Sequence, residues 1–160
     1  MPTDANQLHP DHRPTPFSAD EIRRGCPAGR TVRSLVVETG SEPYVGITRF
    51  VAVDQEGAEQ EYWRETPDGS RLTEPRQRRS TWLEFQGHAS MPAATTEIAE
   101  ETIEIPAGRF DCLRYTRTEG DEVSTFWFAK VAPGMPLKFE ERQHGEPVYS
   151  STAIENRLPE

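Results

Sequence analysis

The sequence predicts an all-β fold: a curved antiparallel meander of about eight or nine strands, forming a half-barrel or open barrel, with one short N-terminal helix. Three observations predict it. From Arg30 onward, apolar side chains alternate with a period of two, as they do in strands. Turn signals rich in Gly, Pro and Asp recur about every ten residues. Long helical segments are missing between them, which argues against βαβ units.

The helix is predicted over residues 19–24. Ser18 and Glu21 have the spacing of a capping box, and Phe17 precedes the cap, where a hydrophobic staple begins. Gly25 stands where a helix C-terminus is expected. We expect this helix to plug one end of the sheet.

The first strands are predicted from apolar alternation between turn sequences at 39–43, 54–57 and 66–69. Segment 70–79 is polar and basic, so it is either a loop or a ragged strand. Segment 95–105 is interpreted as a strand, although part of it is also compatible with a helical turn. The predicted strands of this half are 31–38, 44–53, 59–65, 80–86 and 95–105.

The last third predicts four strands, at 108–118, 122–130, 137–144 and 148–156. A tight turn at 119–121 fixes which side chains of the first two strands share a face. Both faces carry aromatic rings, so this hairpin is covered on both sides or lines a cavity with one of them. We also expect a cation–π contact between Arg114 and Trp127. One face holds Phe110, Cys112, Arg114, Thr116, Val123, Thr125 and Trp127, and the other holds Leu113, Tyr115, Arg117, Ser124, Phe126 and Phe128.

The final hairpin follows the usual alternation of inward and outward side chains. A turn at Gly145-Glu146 is expected to set its register. That turn places Leu137, Phe139, Val148 and Ile154 on one face and Lys138, Glu140, Arg142 and Tyr149 on the reverse.

Composition limits the partners and the number of domains. The 160 residues suit one domain, with residues 1–16, rich in proline, as a disordered arm and residues 17–158 as a single β-sheet domain. A net charge of −9 disfavours nucleic acid and anionic lipid surfaces as partners. The sequence has no long apolar run, so we expect no transmembrane segment. A signal segment is missing, so we expect a cytoplasmic protein unless a leader has been removed.

The run IEIPAGRFDCLRYTRTEGDEVSTFWFAKVAPGMPLKFEER, residues 103–142, resembles a signature of small uncharacterised bacterial β-proteins near the LolA/LolB-like lipoprotein carriers, the TapB-like proteins among them. The resemblance implies an open, strongly curved antiparallel half-barrel whose concave side holds lipid in the carriers. This chain departs from them by lacking their export signal and by carrying many charges on its early strands. The matching positions, which the resemblance implies to be fold determinants, are Phe110, Cys112, Tyr115, Trp127 and Gly134.

Catalytic motifs are not recognisable, so we expect no enzyme, no cofactor and no metal. The chain lacks a G-x-S-x-G elbow and a Gly-rich phosphate loop. His9 and His12 lie in the proline-rich arm, without the further ligands that zinc needs. Cys26 and Cys112 are two reduced thiols or, if the protein is exported, one disulfide.

The function suggested by these residues is a non-enzymatic binding module. Its concave face would hold a small apolar or amphipathic ligand, or a peptide. The alternative is a structural or interaction protein that forms a homo-oligomer or a heteromeric complex through a sheet edge. The basic residues that either grip an anionic group or form an ordinary charged loop are Arg71, Arg76, Arg78 and Arg79. The side chains expected nearest to the ligand are Trp127, Arg114, Tyr115, Phe126 and Phe128, although the sequence does not decide which sheet face lines the cavity.

Overall fold

The fold is an open, nine-stranded antiparallel sheet with helices on one face. The structure, a computed structural model, describes residues 4–160. Two helices are present, α1 (Ala19–Gly25) and α2 (Trp82–Gly87), with a 3-10 turn at Ala93–Thr95. The strands are β1 (Thr31–Glu38), β2 (Tyr44–Val53), β3 (Gly57–Glu65), β4 (Arg76–Thr81), β5 (Thr96–Ile105), β6 (Gly108–Glu119), β7 (Glu122–Ala129), β8 (Lys138–Gln143) and β9 (Glu146–Arg157).

The sheet is a meander with a single long connection. Its strand order is β4-β3-β2-β1-β9-β8-β7-β6-β5, and every neighbouring pair is antiparallel. Strands β4 and β5 follow each other in the chain but lie at opposite edges, and α2 and the 3-10 turn connect them. The predicted fold class, an all-β open half-barrel with a short helix near the N-terminus, is confirmed.

Helix α1 begins as the sequence predicts. The Ser18 side chain accepts from the Glu21 amide, and the Glu21 carboxylate accepts from the Ser18 amide, so both hydrogen bonds of the capping box are present. Phe17 and Ile22 are buried in the same apolar cluster. The helix runs one residue further than expected, to Gly25.

Helix α2 corrects the prediction of a strand over residues 80–86. Strand β4 ends at Thr81, whose side chain caps the next helix by accepting from the Glu84 amide at 3.0 Å. The Glu84 carboxylate in turn accepts a hydrogen bond from the Thr81 amide. This second capping box gives hydrogen-bond acceptors to backbone amides at the start of α2. In a strand, those amides would have to bond to a neighbouring strand. The capping box therefore favours a helix for the apolar run that follows. The basic segment before it is partly strand, because β4 begins at Arg76.

The arm expected to be disordered over residues 1–16 packs on the molecule where the structure describes it; residues 1–3 lie outside the described part. Thr15 is buried. The Gln86 amide donates to the Ala5 carbonyl at 2.8 Å, and the Tyr115 hydroxyl donates to the Pro14 carbonyl at 2.6 Å. Residues 4–16 therefore lie against α2 and β6, because buried polar side chains there need these backbone carbonyls as partners.

The β6–β7 hairpin has the faces that alternation predicts. Leu113 pairs with Phe128 and Arg114 with Trp127, so the two sets of side chains lie on opposite sides. Phe128 packs with the helices, whereas Trp127 belongs to a second apolar cluster with Cys112 and Ala129. Each face of this hairpin therefore packs in an apolar cluster, as one of the two predicted alternatives requires.

The β8–β9 hairpin departs from its predicted register. The turn is His144-Gly145, with Gln143 paired to Glu146, one residue earlier than expected. Both turn residues have positive φ, 51° for His144 and 79° for Gly145, as a two-residue turn of this kind requires.

A bulge in this hairpin moves Tyr149 from its predicted face. A bulge at Glu141/Arg142 shifts the pairing, and Tyr149 comes to lie beside Phe139, with the ring centres 5.6 Å apart, instead of on the reverse face. Leu137 lies just before β8 and packs in the cluster of Trp127.

Candidate functional site

A cavity of about 260 Å³ lies between the helices and the sheet. Its wall is mostly apolar, as is usual for small-molecule sites, although it is smaller than most of them. The lining comes from both halves of the sheet, from both helices and from the β7–β8 connector. The lining residues are Ile22, Cys26, Phe50, Gln60, Arg78, Ser80, Phe85, His88, Ala89, Phe126, Phe128, Gly134, Met135 and Pro136.

One wall of the cavity is an aromatic row on β7 and its neighbours. Phe126 and Phe128 are two residues apart on one strand and so point to the same side, with ring centres 6.2 Å apart. Phe128 is fixed by edge contacts with Phe17 at 6.4 Å and Tyr115 at 5.3 Å. Phe126 is half-buried and contacts Phe139 at 4.8 Å. The buried Phe128 ring thus packs against the more accessible Phe126 ring and helps to hold it in place.

The opposite wall comes from β2 and α2. Phe50 is buried and lies 6.0 Å from Phe85, measured between ring centres. Trp82 anchors the start of α2, because its indole nitrogen donates to the Asp54 carbonyl at 2.8 Å. Phe85 packs 5.6 Å from Trp82 and is therefore held over the sheet one helical turn later.

The β7–β8 connector closes a third side of the cavity. Gly134 has φ of +124°, and a Cβ there would lie 3.1 Å from the Cys26 sulfur, so the backbone runs close to the end of α1. Met135 and Pro136 follow and face the cavity, and they also border a second groove of about 330 Å³ that contains Phe139 and Tyr149. The connector therefore separates the cavity from an aromatic groove beside it.

Polar side chains gather at one side of the cavity. Arg78, His88 and Gln60 line it beside the aromatic wall, and Arg78 and His88 are exposed. Among the described residues Arg78 has no ion pair, whereas the next residue, Arg79, binds Asp54 at 2.8 Å. Alternation along β4 sends Arg78 to the cavity side and Arg79 away from it. Of the predicted basic cluster, only Arg78 borders the cavity.

The predicted ligand residues divide between the two sheet faces. Phe126 and Phe128 line the cavity, and Tyr115 supports Phe128 from below without lining it. Trp127 and Arg114 lie on the other face, so their placement next to the cavity is corrected. Strand alternation explains the division, since odd and even residues of one strand cannot face the same side.

Trp127 and Arg114, which do not line the cavity, contact charged groups on the other face of the sheet. The Trp127 indole nitrogen donates to a Glu101 carboxylate oxygen at 2.5 Å, and Arg114 forms an ion pair with the same Glu101 at 3.3 Å. The cation over the Trp127 ring is Lys138, 4.7 Å from the ring centre, in place of the Arg114 contact expected from the sequence.

The sequence interpretation missed the helix-side residues Phe85 and His88 and the strand residue Phe50. A signal for the first two was present: Thr81 and Glu84 repeat the capping-box spacing that identified α1. Phe50 carried no comparable signal, because its place on the cavity side depends on how the two halves of the sheet curve toward each other.

The two cysteines are free and buried. Burial raises the pKa of the Cys26 thiol, and burial together with the Glu101 and Asp111 carboxylates raises that of Cys112 to about 11. Both sulfurs are therefore protonated near neutral pH and are poor nucleophiles. Among the described residues, no group of three His, Cys, Asp or Glu side chains is arranged to hold a metal ion.

Comparisons with known proteins give a likeness in fold. No protein-family model and no curated protein matches the sequence. Among solved structures, the chain is similar to the crystal structure of MucB, with a TM-score of 0.60 and 9% sequence identity. The match covers 87% of this chain and 56% of the MucB chain, so this chain spans little more than half of that protein's length. At this identity the likeness shows the fold alone.

Proposed function

We propose that the protein is a binding module that holds the apolar part of a small amphipathic ligand, or an apolar side chain of a peptide, in the cavity beneath α1 and α2. The observation that carries this proposal is the aromatic lining, with Phe50, Phe85 and Phe126 around a volume of about 260 Å³. Burying an apolar group there removes its surface from water, which gives about 25 cal/mol per Å².

The polar side of the cavity favours an anionic head group on the ligand. Arg78 lies there without an ion pair among the described residues, and Gln60 and His88 add hydrogen-bonding groups. A carboxylate or phosphate placed beside Arg78 gains a charge-assisted hydrogen bond. The protein's net charge of −9 gives no general attraction for anions, so this local cation is what selects the head group.

A binding role without catalysis fits the chemistry of the lining. Its ionisable side chains are Cys26, Arg78 and His88, and burial raises the pKa of the Cys26 thiol. These groups do not form a nucleophile and base pair. The sequence resemblance to the LolA/LolB-like carriers and the fold likeness to MucB support the same proposal at the level of architecture. A helix that spans a bilayer was not found in the part of the chain that the structure describes.

A fluorescent fatty acid, dansyl-undecanoate, tests the cavity. We expect saturable binding, with a blue shift of the dansyl emission, and competition by decanoate. Phe126→Gln should weaken the binding about tenfold or more, because a polar amide then replaces a ring in contact with the tail. Trp127→Phe is the matched control, since residue 127 is on the same strand and faces the other way. No saturable binding, or equal loss in both variants, would reject the cavity as the site.

The head-group role of Arg78 has its own pair of variants. Arg78→Glu should weaken dansyl-undecanoate binding and leave the affinity for an uncharged analogue, undecanol, nearly unchanged, because only the charged head meets residue 78. Arg79→Glu is the control: it reverses the same charge one residue along, on the side that binds Asp54. Equal effects of the two reversals would show a general electrostatic effect instead of a contact.

A second candidate function, association through the sheet edges, is favoured by the charges on those edges. The β4 edge carries Arg76, Arg78 and Arg79, whereas the β5 edge carries Glu97, Glu100, Glu101 and Glu104. Each edge repels a copy of itself and attracts the other, which permits head-to-tail pairing.

Light scattering distinguishes this second function from ligand binding. Edge pairing predicts a mass that rises with protein concentration in low salt and returns to 18.1 kDa in high salt, because the attraction between the edges is screened. A constant monomer mass at all concentrations would rule it out.

A further inference from the structure

A buried arginine, Arg30, lies just before β1 and bonds to the end of α1 and to the β7–β8 connector. Only 1% of its surface is exposed. A buried guanidinium normally has a carboxylate partner, because an unpaired charge is costly to remove from water. Arg30 has none among the described residues: each of its hydrogen-bond acceptors is neutral.

The hydrogen bonds of Arg30 occupy two of its three nitrogens. Nη1 donates to the Pro133 carbonyl at 2.5 Å, to the Cys26 sulfur at 3.1 Å and to the Gly25 carbonyl at 3.2 Å. Nε donates to Oδ1 of Asn156 at 3.0 Å. Nη2 is buried and has no partner among the described residues. Its two N–H groups are therefore left unsatisfied, which is rare in a protein interior.

Arg30, whose Nη2 is buried without a partner among the described residues, is one of the residues that line a surface groove. In the planar guanidinium, Nη2 and Nε share one edge, which is the edge that binds carboxylates with two parallel bonds. Asn156 meets this edge through Nε, and both Arg30 and Asn156 line a groove of about 340 Å³. The Asn156 side-chain amide also carries Nδ2, which is a hydrogen-bond donor.

The rest of the groove suits a small anion with an apolar substituent. Its charged lining residues are Arg24 and Arg30, and none of its lining residues is acidic. Arg24 is engaged with Asp20 at 3.0 Å, but that ion pair is exposed and thus weak. Val131 and Leu158 line the groove with large exposed surfaces, 80% and 57% of their possible area.

We propose that this groove is a second ligand site, which binds a carboxylate with a short apolar substituent. One carboxylate oxygen accepts from Nη2 of Arg30 and the other from Nδ2 of Asn156, while the substituent packs against Val131 and Leu158. The ligand supplies the counter-charge that Arg30 lacks. This site is separate from the cavity under the helices, and it does not depend on the function proposed for that cavity.

Thermal unfolding in isobutyrate tests the site, with sodium chloride at the same ionic strength as the reference. Isobutyrate should raise the melting temperature saturably, because a ligand that binds only the folded state stabilises it. Inorganic phosphate, an oxyanion without an apolar part, should bind more weakly. No saturable rise in isobutyrate would overturn the site, and equal or tighter binding of phosphate would overturn the assignment of an apolar carboxylate.

The most informative variant is Asn156→Asp, which places a carboxylate on the open edge of Arg30. It should raise the melting temperature in chloride and abolish the isobutyrate effect, because Arg30 then has an internal partner. Gln143→Glu adds the same charge at an exposed hairpin end and is the matched control, with the isobutyrate effect retained. Retained isobutyrate binding in Asn156→Asp would contradict the proposal.

Arg30→Lys gives an independent check, since it keeps the charge and removes the open edge; binding should weaken about tenfold or more. If this variant fails to fold, Asn156→Asp alone decides. Dansyl-undecanoate binding should be unchanged in Asn156→Asp, so failure of this site and failure of the cavity are distinguishable.

Discussion

Neighbouring side chains on β7 meet different surroundings because strand geometry points them to opposite sides. Phe126 and Phe128 face the cavity, while Trp127 between them donates to Glu101. These three consecutive residues therefore have different roles. The rings of Phe126 and Phe128 form an apolar wall, and the indole of Trp127 links β7 to the acidic edge strand β5. Substitutions at these three positions should therefore affect different properties.

Tyr115 connects the N-terminal segment to the sheet. Its hydroxyl donates to the Pro14 carbonyl, and burial raises its pKa to about 12. Tyr115→Phe should lower the free energy of unfolding by about 1 kcal/mol at neutral pH, because the hydrogen bond to the Pro14 carbonyl is lost. Urea unfolding measures this loss.

The same variant should change the response to alkaline pH. A tyrosine whose pKa is higher in the folded state contributes stability below its unfolded pKa, near 10, and loses it as pH rises toward 12. Wild-type stability should therefore fall across this window, and the fall should be smaller in Tyr115→Phe. Burial also raises the pKa of Tyr44 to about 12, so Tyr44 accounts for part of the loss of stability that remains in Tyr115→Phe. An unchanged slope in the variant would contradict the role of Tyr115.

At this scale the sequence predicted which side chains share a face but not which face is concave. Alternation is local, so the pairing of Arg114 with Trp127 followed from the hairpin turn alone. The concave face depends on where the β4–β5 connection crosses the sheet. That contact is between distant segments, so the sequence left the cavity face undecided, and Trp127 and Arg114 lie on the face that does not line the cavity.

Helix α2 covers one side of the cavity that lies on the sheet. It brings Phe85 over Phe50 and places His88 at its own C-terminal end. The helix has only six residues, too few to be stable alone, so its cap and its packing must hold it.

Thr81→Ala tests the contribution of that cap. The residue is exposed and its hydroxyl accepts from the Glu84 amide, so we expect a loss of about 1 kcal/mol in the free energy of unfolding. Dansyl-undecanoate should also bind more weakly, since Phe85 is then held less firmly. Thr118→Ala, at an exposed strand end, is the control and should change neither quantity. Unaltered stability in Thr81→Ala would show that packing alone holds α2.

The β7–β8 connector depends on one glycine. Gly134 has φ of +124°, and an added Cβ would approach the Cys26 sulfur to 3.1 Å and Nη1 of Arg30 to 3.2 Å. Gly134→Ala should therefore destabilise the protein by more than about 1 kcal/mol, as measured by urea unfolding. Gly87→Ala, where a Cβ meets nothing within 4 Å, is the control. Equal unfolding midpoints for both variants would show that the connector can move.

Elements with strong local signals were predictable, and those fixed by distant contacts were not. Strands β1 and β2 have the predicted bounds. The turn at His144-Gly145 was misplaced by one residue, because sequence preference alone does not choose between neighbouring two-residue turns. The misplaced turn alone leaves the faces unchanged, and the bulge at Glu141/Arg142 is what puts Tyr149 on the face of Phe139.

The pairing of β1 with β9 joins the two halves of the chain into one open sheet, with β4 and β5 at its edges. One apolar cluster lies between the sheet and the helices, and another contains Trp127, Leu137 and Ala129. Two clusters explain why the β6–β7 hairpin carries aromatic rings on both sides. The proline-rich N-terminal segment looked unstructured because its order comes from hydrogen bonds with Gln86 and Tyr115, far away in the chain.

The most direct test of the cavity as a ligand site is the position of a bound acyl chain in solution. Nuclear Overhauser effects between the terminal methyl group of decanoate and assigned protein protons would locate it. The account predicts contacts with the rings of Phe50, Phe126 and Phe128 and none with the indole of Trp127. Contacts with Trp127 alone, or no saturable change in the spectrum on adding decanoate, would contradict it.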